Sequence, residues 1–178
     1  MEMTMRIGAS TLALVVIGVV PAAAFDLPTR KPGLWELKTT AEGQGTPMVM
    51  KQCVDAETDA QMQAFGASMS AKMCDQEVKR EGGGIVTDAV CRMGPITMRT
   101  HSVTTGDFNS AYTTKTTSKQ EGGPSMPGMG GESAVTIEAR WTGPCEAGQR
   151  PGDVIMANGM KMNINDMKKF MPGGAPPR

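Results

Sequence analysis

Residues 135–141 read Val-Thr-Ile-Glu-Ala-Arg-Trp, the most regular alternation of apolar and polar residues in the chain. Side chains of a β-strand point alternately to two faces, so this stretch predicts a strand with one apolar face. That face consists of Val135, Ile137, Ala139 and Trp141. Residues 34–40 alternate in the same way and place Trp35 and Leu37 on one face. The fold is therefore expected to be built on half-buried antiparallel strands.

Further strands follow in short segments separated by turn residues. Their expected positions are 48–53, 77–80, 85–92, 96–104, 110–118, 153–156 and 160–162. Gly82-Gly83-Gly84 and Asn158-Gly159 are typical hairpin connections. The predicted fold class is mainly β with minor α, an antiparallel meander that curls into a barrel or half-barrel.

Two helices interrupt this pattern. Residues 55–72 change to helical spacing, with a predicted apolar face of Met62, Phe65, Met69 and Met73. Thr58 and Gln61 have the spacing of a capping box near the helix start. This long helix lies between the early strands, and we expect it to cover an edge or one end of the sheet. Asn163 is a suitable N-cap for a short C-terminal helix with Ile164, Met167, Phe170 and Met171 on one side.

The first 24 residues have the pattern of a cleavable signal peptide. Arg6 precedes an apolar run over residues 7–20, and Ala22-Ala-Ala24 fits a cleavage site between Ala24 and Phe25. We therefore expect residues 25–178 to form one exported, periplasmic or secreted domain without a transmembrane segment. Within it, residues 119–133 are expected to form a flexible Gly/Pro/Met loop and residues 173–178 a loose tail.

Four cysteines, all after the predicted cleavage site, agree with export to an oxidising compartment. They form no C-x-x-C pair and lack the close spacing of zinc ligands, so two structural disulfides are expected. Of the three possible pairings we favour Cys53–Cys74 and Cys91–Cys145. The first would close the helical excursion, and the second would tie a middle strand to a late one.

Several segments together resemble a known bacterial family. They are Pro32-Gly-Leu-Trp-Glu36, Lys51-Gln-Cys-Val54, Trp141-Thr-Gly-Pro-Cys145, Pro151-Gly-Asp153, Asn158-Gly159 and Asn163-Ile-Asn-Asp-Met167. In order and spacing the chain is similar to the family called domain of unknown function 3617 over nearly all of residues 25–178. The resemblance implies an exported, cysteine-containing single domain, and it supplies no catalytic residues.

The residue inventory argues against several function classes. Equal numbers of basic and acidic residues, 18 of each, leave no net charge with which to attract nucleic acid. His101, the only histidine, lies in a strand-like stretch without a nucleophile-elbow pattern, so a surface or sheet-lining role is expected for it. The glycine run at residues 82–84 precedes a strand and does not match a phosphate-binding loop. We therefore predict no catalytic residues, no cofactor and no enzymatic activity.

Methionine is the compositional exception, with 17 residues in the chain. The main prediction is a non-enzymatic periplasmic binding or envelope-associated domain, whose curled sheet accepts an apolar small molecule, a peptide or an envelope protein. Flexible methionines then serve as core filler in place of the scarce aromatic residues. The alternative is a Cu(I)- or Ag(I)-binding protein, because thioether sulfur prefers soft ions. Its candidate ligands are Met126, Met129, Met160 and Met162.

Overall fold

The computed structural model describes residues 27–43, 45–123 and 131–167. Its strands are β1 (Gly33–Ala41), β2 (Met48–Val54), β3 (Cys74–Glu81), β4 (Gly84–Met93), β5 (Ile96–Asp107), β6 (Ala111–Glu121), β7 (Glu132–Gly143), β8 (Asp153–Met156) and β9 (Lys161–Asn163). Its helices are α1 (Ala56–Met73) and α2 (Ile164–Met167). The predicted signal peptide, its cleavage site and the predicted loose tail lie outside these residues.

All nine strands belong to one antiparallel sheet, in the order β3-β4-β5-β6-β7-β1-β2-β8-β9. The mainly β fold and the meander, which runs from β3 to β7, are confirmed. The barrel is not, because the sheet stays open with β3 and β9 as its edges. Leu37 on β1 and Ile85 on β4 nevertheless line one cavity, so the sheet bends around that cavity without closing.

The alternation of β1 and β7 gives the buried core. Trp35 is fully buried and packs with Val54 and Ala139, and Leu37 lies against this cluster. On the opposite face, the exposed side chains of Lys38 and Glu138 form an ion pair. The predicted faces of both strands are thus confirmed. We call the face that carries Trp35 the inner face and the opposite face the outer face.

Helix α1 connects two strands that lie far apart in the sheet. Six antiparallel steps separate β2 from β3, so the two strands run in the same direction and the helix returns the chain across the inner face. The capping box at its start is formed by Asp55 and Thr58, not by Thr58 and Gln61 as predicted. The Asp55 side chain accepts a hydrogen bond from the Thr58 amide at 2.8 Å, and the Thr58 hydroxyl accepts one from the Asp55 amide at 3.0 Å.

The predicted apolar face of α1 is only partly correct. Met62 packs against the core, but Phe65 and Met73 are 41% and 46% exposed. Among the described side chains of this helix, which do not include that of Met69, the buried ones are instead polar and lie in its first turn, where Thr58 and Asp59 are 4% and 0% exposed. The periodicity failed because only the beginning of the helix is covered by the chain segment that precedes β1.

Two disulfides are present, but the predicted pairing is wrong. Cys53 bonds Cys145, and Cys74 bonds Cys91. The helix between Cys53 and Cys74 has 18 residues and is about 27 Å long, whereas the Cα atoms of a disulfide lie within about 7 Å. Cys74 and Cys91 are direct register partners on β3 and β4, with their Cα atoms 3.9 Å apart.

Along the strand order, the two halves of the sheet carry different side chains on the inner face. We call the side formed by β1, β2, β7 and α1 the packed flank and the side formed by β3 to β6 the hydroxyl flank. On β5 and β6, half-buried hydroxyls face each other in three pairs, at 3.3, 2.9 and 2.9 Å. These pairs are Thr100–Ser118, Ser102–Thr116 and Thr104–Thr114.

The predictions for the segments after β6 are largely confirmed. The hairpin of β8 and β9 forms around Asn158-Gly159 as predicted, and the Asn163 side chain accepts a hydrogen bond from the Asn165 amide at 2.9 Å. The predicted loop over residues 119–133 is shorter at both ends, because residues 119–121 belong to β6 and residues 132–133 to β7. Residues 124–130 lie outside the described part of the chain.

Candidate functional site

A cavity of about 320 Å³ lies between the inner face, helix α1 and the segment that precedes β1. Most of its wall is apolar or aromatic and comes from Leu27, Leu37, Met62, Ile85, Phe108 and Tyr112. The Phe108 and Tyr112 rings stack with centroids 4.6 Å apart, and Tyr112 lies 5.7 Å from Trp35. Ligand sites in proteins combine such walls with a few fixed polar groups.

The polar centre of this cavity is an ion pair between Arg30 and Asp59. Arg30 Nε donates to Asp59 Oδ1 at 2.7 Å, and the Arg30 amide donates to Asp59 Oδ2 at 2.8 Å. The two residues are 8% and 0% exposed. Arg30 Nη1 also donates to Gln52 Oε1 at 2.9 Å, and the guanidinium lies 5.9 Å from the centre of the Trp35 ring. Both charges are thus held in one geometry before any ligand enters.

The start of α1 sets the position of Asp59. The capping box fixes the first turn, and the Asp59 amide donates to the Asp55 carbonyl at 2.9 Å. One turn later, Gln63 Nε2 donates to Asp59 Oδ2 at 3.0 Å and to the Pro28 carbonyl at 3.3 Å. The helix therefore orients the carboxylate and binds the preceding segment at the same time.

The segment 28–32 is fixed to the sheet from several sides. Indole nitrogens donate to its carbonyls, from Trp35 to Lys31 at 2.8 Å and from Trp141 to Pro32 at 3.0 Å. Gly33 follows at φ +133°, and a Cβ there would lie 2.4 Å from the Gly143 carbonyl oxygen, so only glycine fits. This close approach brings Arg30 over the cavity.

Burial also perturbs a titratable group in the wall. It raises the pKa of the Tyr112 hydroxyl, and the nearby Arg30 opposes this shift. Tyr112 therefore stays a neutral hydroxyl at physiological pH, able to donate or accept a hydrogen bond. Apolar walls around a few fixed polar groups are an arrangement suited to holding a ligand.

A larger groove, about 630 Å³, lies on the outer face across β3 to β7. His101 lines it, with Nδ1 2.6 Å from Asp88 Oδ1, and both side chains are about half exposed. The hydrogen bond with His101 lowers the pKa of Asp88. The expected surface position of His101 is thus confirmed. We place the candidate site in the smaller cavity because its polar groups are buried, whereas Asp75 and Asp88 in this groove are exposed and paired.

The family model described as "Protein of unknown function (DUF3617)" matches residues 30–145. The chain belongs to this family. The DUF3617 match begins at Arg30 and ends at Cys145, so it contains the ion pair, α1 and all four cysteines, and it excludes β8 and β9. No curated protein and no solved structure gives a significant match to the chain.

Sequence reasoning missed Arg30 and Asp59. Arg30 precedes the first predicted strand, and Asp59 lies in the predicted helix but is not one of its predicted apolar residues. One signal was available. Asp59 shares a helical face with Met62, three residues later, and a carboxylate on the apolar face of a helix indicates a buried partner.

Two of the four predicted metal ligands, Met160 and Met162, do not line this cavity. Met160 and Met162 belong to the β8–β9 hairpin, whereas Met126 and Met129 fall outside the described residues. In the part of the chain that the structure describes, no group of three or more His, Cys, Asp or Glu side chains could hold a metal ion. Neither α1 nor α2, the helices of that part, combines the length and apolarity needed to cross a bilayer.

Proposed function

We propose that this DUF3617 protein is an exported, non-enzymatic binding protein that holds a small, mainly apolar ligand in the cavity beneath α1. The observation that carries the proposal is the buried Arg30–Asp59 pair set among aromatic and aliphatic walls. A volume of about 320 Å³ is at the lower end of the range of roughly 300–1,000 Å³ found for small-molecule sites.

The polar groups of the cavity indicate what the ligand carries. Arg30 uses Nε on Asp59 and Nη1 on Gln52, and its charge is balanced by the carboxylate. A neutral ligand with one hydroxyl or carbonyl group, which can exchange hydrogen bonds with Tyr112 or Gln63, suits this site better than a strongly charged one.

The second part of the proposal, export from the cytoplasm, is supported by different observations. The leader pattern of residues 1–24 and two disulfides are both typical of proteins made for an oxidising compartment. This location would expose the cavity to lipids and other apolar molecules of the cell envelope.

Native mass spectrometry of the full-length chain, expressed in a bacterium and released from the periplasm, tests both parts. We expect a mass that begins at Phe25, two closed disulfides and an additional small-molecule adduct. A chain that still begins at Met1 with four alkylatable thiols would contradict export.

Two matched variants locate the binding. Thr114 and Thr116 lie on the same face of β6 and each pairs with a hydroxyl on β5, but only Thr114 lines the cavity. Thr114→Phe should abolish the adduct and weaken binding of the fluorescent apolar probe ANS at least about tenfold, whereas Thr116→Phe should change neither. Equal binding by both variants would exclude this cavity as the site.

A further inference from the structure

Methionines from β2, from β8 and from the connection that leads into β9 form a row on the inner face of the sheet, at the side away from the hydroxyl flank. Met50 is the register partner of Met156, and the Met156 amide donates to the Met160 carbonyl at 2.9 Å across the next strand pair. Side chains directly opposite each other on neighbouring strands have Cβ atoms about 4.5–5.5 Å apart. The side chains of these three residues therefore start from neighbouring positions of the backbone, and we call Met50, Met156 and Met160 the methionine row.

Two more methionines extend this surface. Met48 lies two residues before Met50 on β2, and Met162 on β9 is the register partner of Val154, two residues before Met156 on β8, so both share the face of the row. Met48 and Met160 are each 51% exposed. Half-exposed methionine gains little from burial, and strands usually favour β-branched residues at such positions. Packing alone therefore does not account for Met48 and Met160.

The surroundings of the row are neutral. Its neighbours on the same face are Leu37, Gln52 and Val154, and the charged Lys51 and Lys161 project to the opposite face by strand alternation. Gln52 Nε2 lies 3.8 Å from Met50 Sδ. A set of uncharged sulfur ligands without carboxylates suits a soft monovalent ion and disfavours hard divalent cations.

We propose that the methionine row is a binding site for one Cu(I) or Ag(I) ion. Each methionine has three rotatable side-chain bonds, so the sulfurs of neighbouring strands can converge on one ion. The proposal goes beyond ligand binding under α1 and is independent of it. It also differs from the site predicted by sequence, because Met50 and Met156 take the place of Met126 and Met129.

Ag(I) titration of the disulfide-bonded protein, with ¹³C-labelled methionine methyl groups observed by NMR, tests the site directly. We expect the methyl signals of the row to shift together and to saturate at one equivalent of Ag(I). Met73 and Met93, which are 46% and 45% exposed elsewhere on the molecule, provide internal controls and should not shift. Equal shifts at Met93, or the absence of saturation, would overturn the proposal.

Variants separate this site from other methionines. The double variant Met156→Leu/Met160→Leu should lower Ag(I) affinity, and Cu(I) affinity in competition with a chromophoric chelator, at least about tenfold. Met93→Leu should leave both affinities unchanged, and so should Met126→Leu/Met129→Leu. Loss of binding only in the last variant would assign the ion to residues 126–129 and contradict the row. Native mass spectra of the wild-type protein with and without Ag(I) decide the outcome if the leucine variant does not fold.

Discussion

On the packed flank, the inner-face residue Trp35 and its neighbour Val54 are almost completely removed from water. On the hydroxyl flank, the inner face carries paired threonine and serine side chains. Both flanks have complete backbone ladders. The packed flank adds apolar burial, an internal ion pair and the cover of α1. The hydroxyl flank adds mainly hydrogen bonds between side chains, and each of these contributes only about 1 kcal/mol. The comparison indicates that the packed flank determines the stability of the fold and that the hydroxyl flank extends it.

The disulfides provide the largest test, because each flank contains one. In the chain-entropy model, a bridge that spans 92 residues stabilises by about 4.6 kcal/mol and one that spans 17 residues by about 3 kcal/mol. We therefore expect Cys53→Ala/Cys145→Ala to destabilise the protein more than Cys74→Ala/Cys91→Ala, as measured by urea unfolding. Equal losses would contradict loop length as the source of the difference.

The buried ion pair provides the next test. Asp59→Ala leaves the Arg30 guanidinium buried without its partner, and we expect a loss of about 3 kcal/mol in the free energy of unfolding. The matched control on the hydroxyl flank is Asp88→Ala, which removes the exposed partner of His101 and should change the free energy of unfolding far less, because solvent screens this pair. Replacing the pair with apolar residues, Arg30→Met/Asp59→Leu, should restore most of the stability. A small effect of Asp59→Ala would mean that water reaches Arg30.

The smallest expected difference between the two flanks is in how much stability each loses at acidic pH. Asp153, next to the packed flank, is 1% exposed and accepts hydrogen bonds from Asn163 Nδ2 at 2.8 Å and from the Arg150 amide at 3.0 Å. Burial alone would raise the pKa of Asp153, but these bonds and Lys161 outweigh it and lower the pKa from its usual 3.8.

The sign of the effect follows from the lowered pKa of Asp153. The ionised Asp153 carboxylate stabilises the folded protein fully above pH 3.8, where the carboxyl is also ionised in the unfolded chain. This stabilisation is lost as the pH falls towards the lower pKa that Asp153 has in the folded protein. Asp153→Asn should therefore flatten the decline of stability as the pH falls below about 4 in urea titrations. Asp88→Asn, at an exposed carboxyl, should flatten it less. An unchanged slope for Asp153→Asn would contradict the role of these hydrogen bonds.

Local sequence signals predicted most of the strands. Alternation placed Trp35, Leu37 and Ala139 on the correct face, and Asn158-Gly159 placed the last hairpin. The errors concern information that is not local. The cysteine pairing depends on which strands become neighbours, and the length of α1 already opposes a Cys53–Cys74 bond. The cavity depends on how the segment before β1 meets the first turn of α1, and no spacing along the chain shows that Arg30 and Asp59 meet.

The position of β1 between β7 and β2 has a kinetic consequence. Leu37 pairs with Ala139, so this pairing joins residues about a hundred positions apart, whereas β3 to β7 pair with their neighbours in sequence. Closing so long a loop costs entropy before the contact is formed, and folding rates fall as such distant contacts increase. We therefore expect the meander from β3 to β7 to assemble before the core around Trp35, and the pairing of β1 with β7 to limit the folding rate.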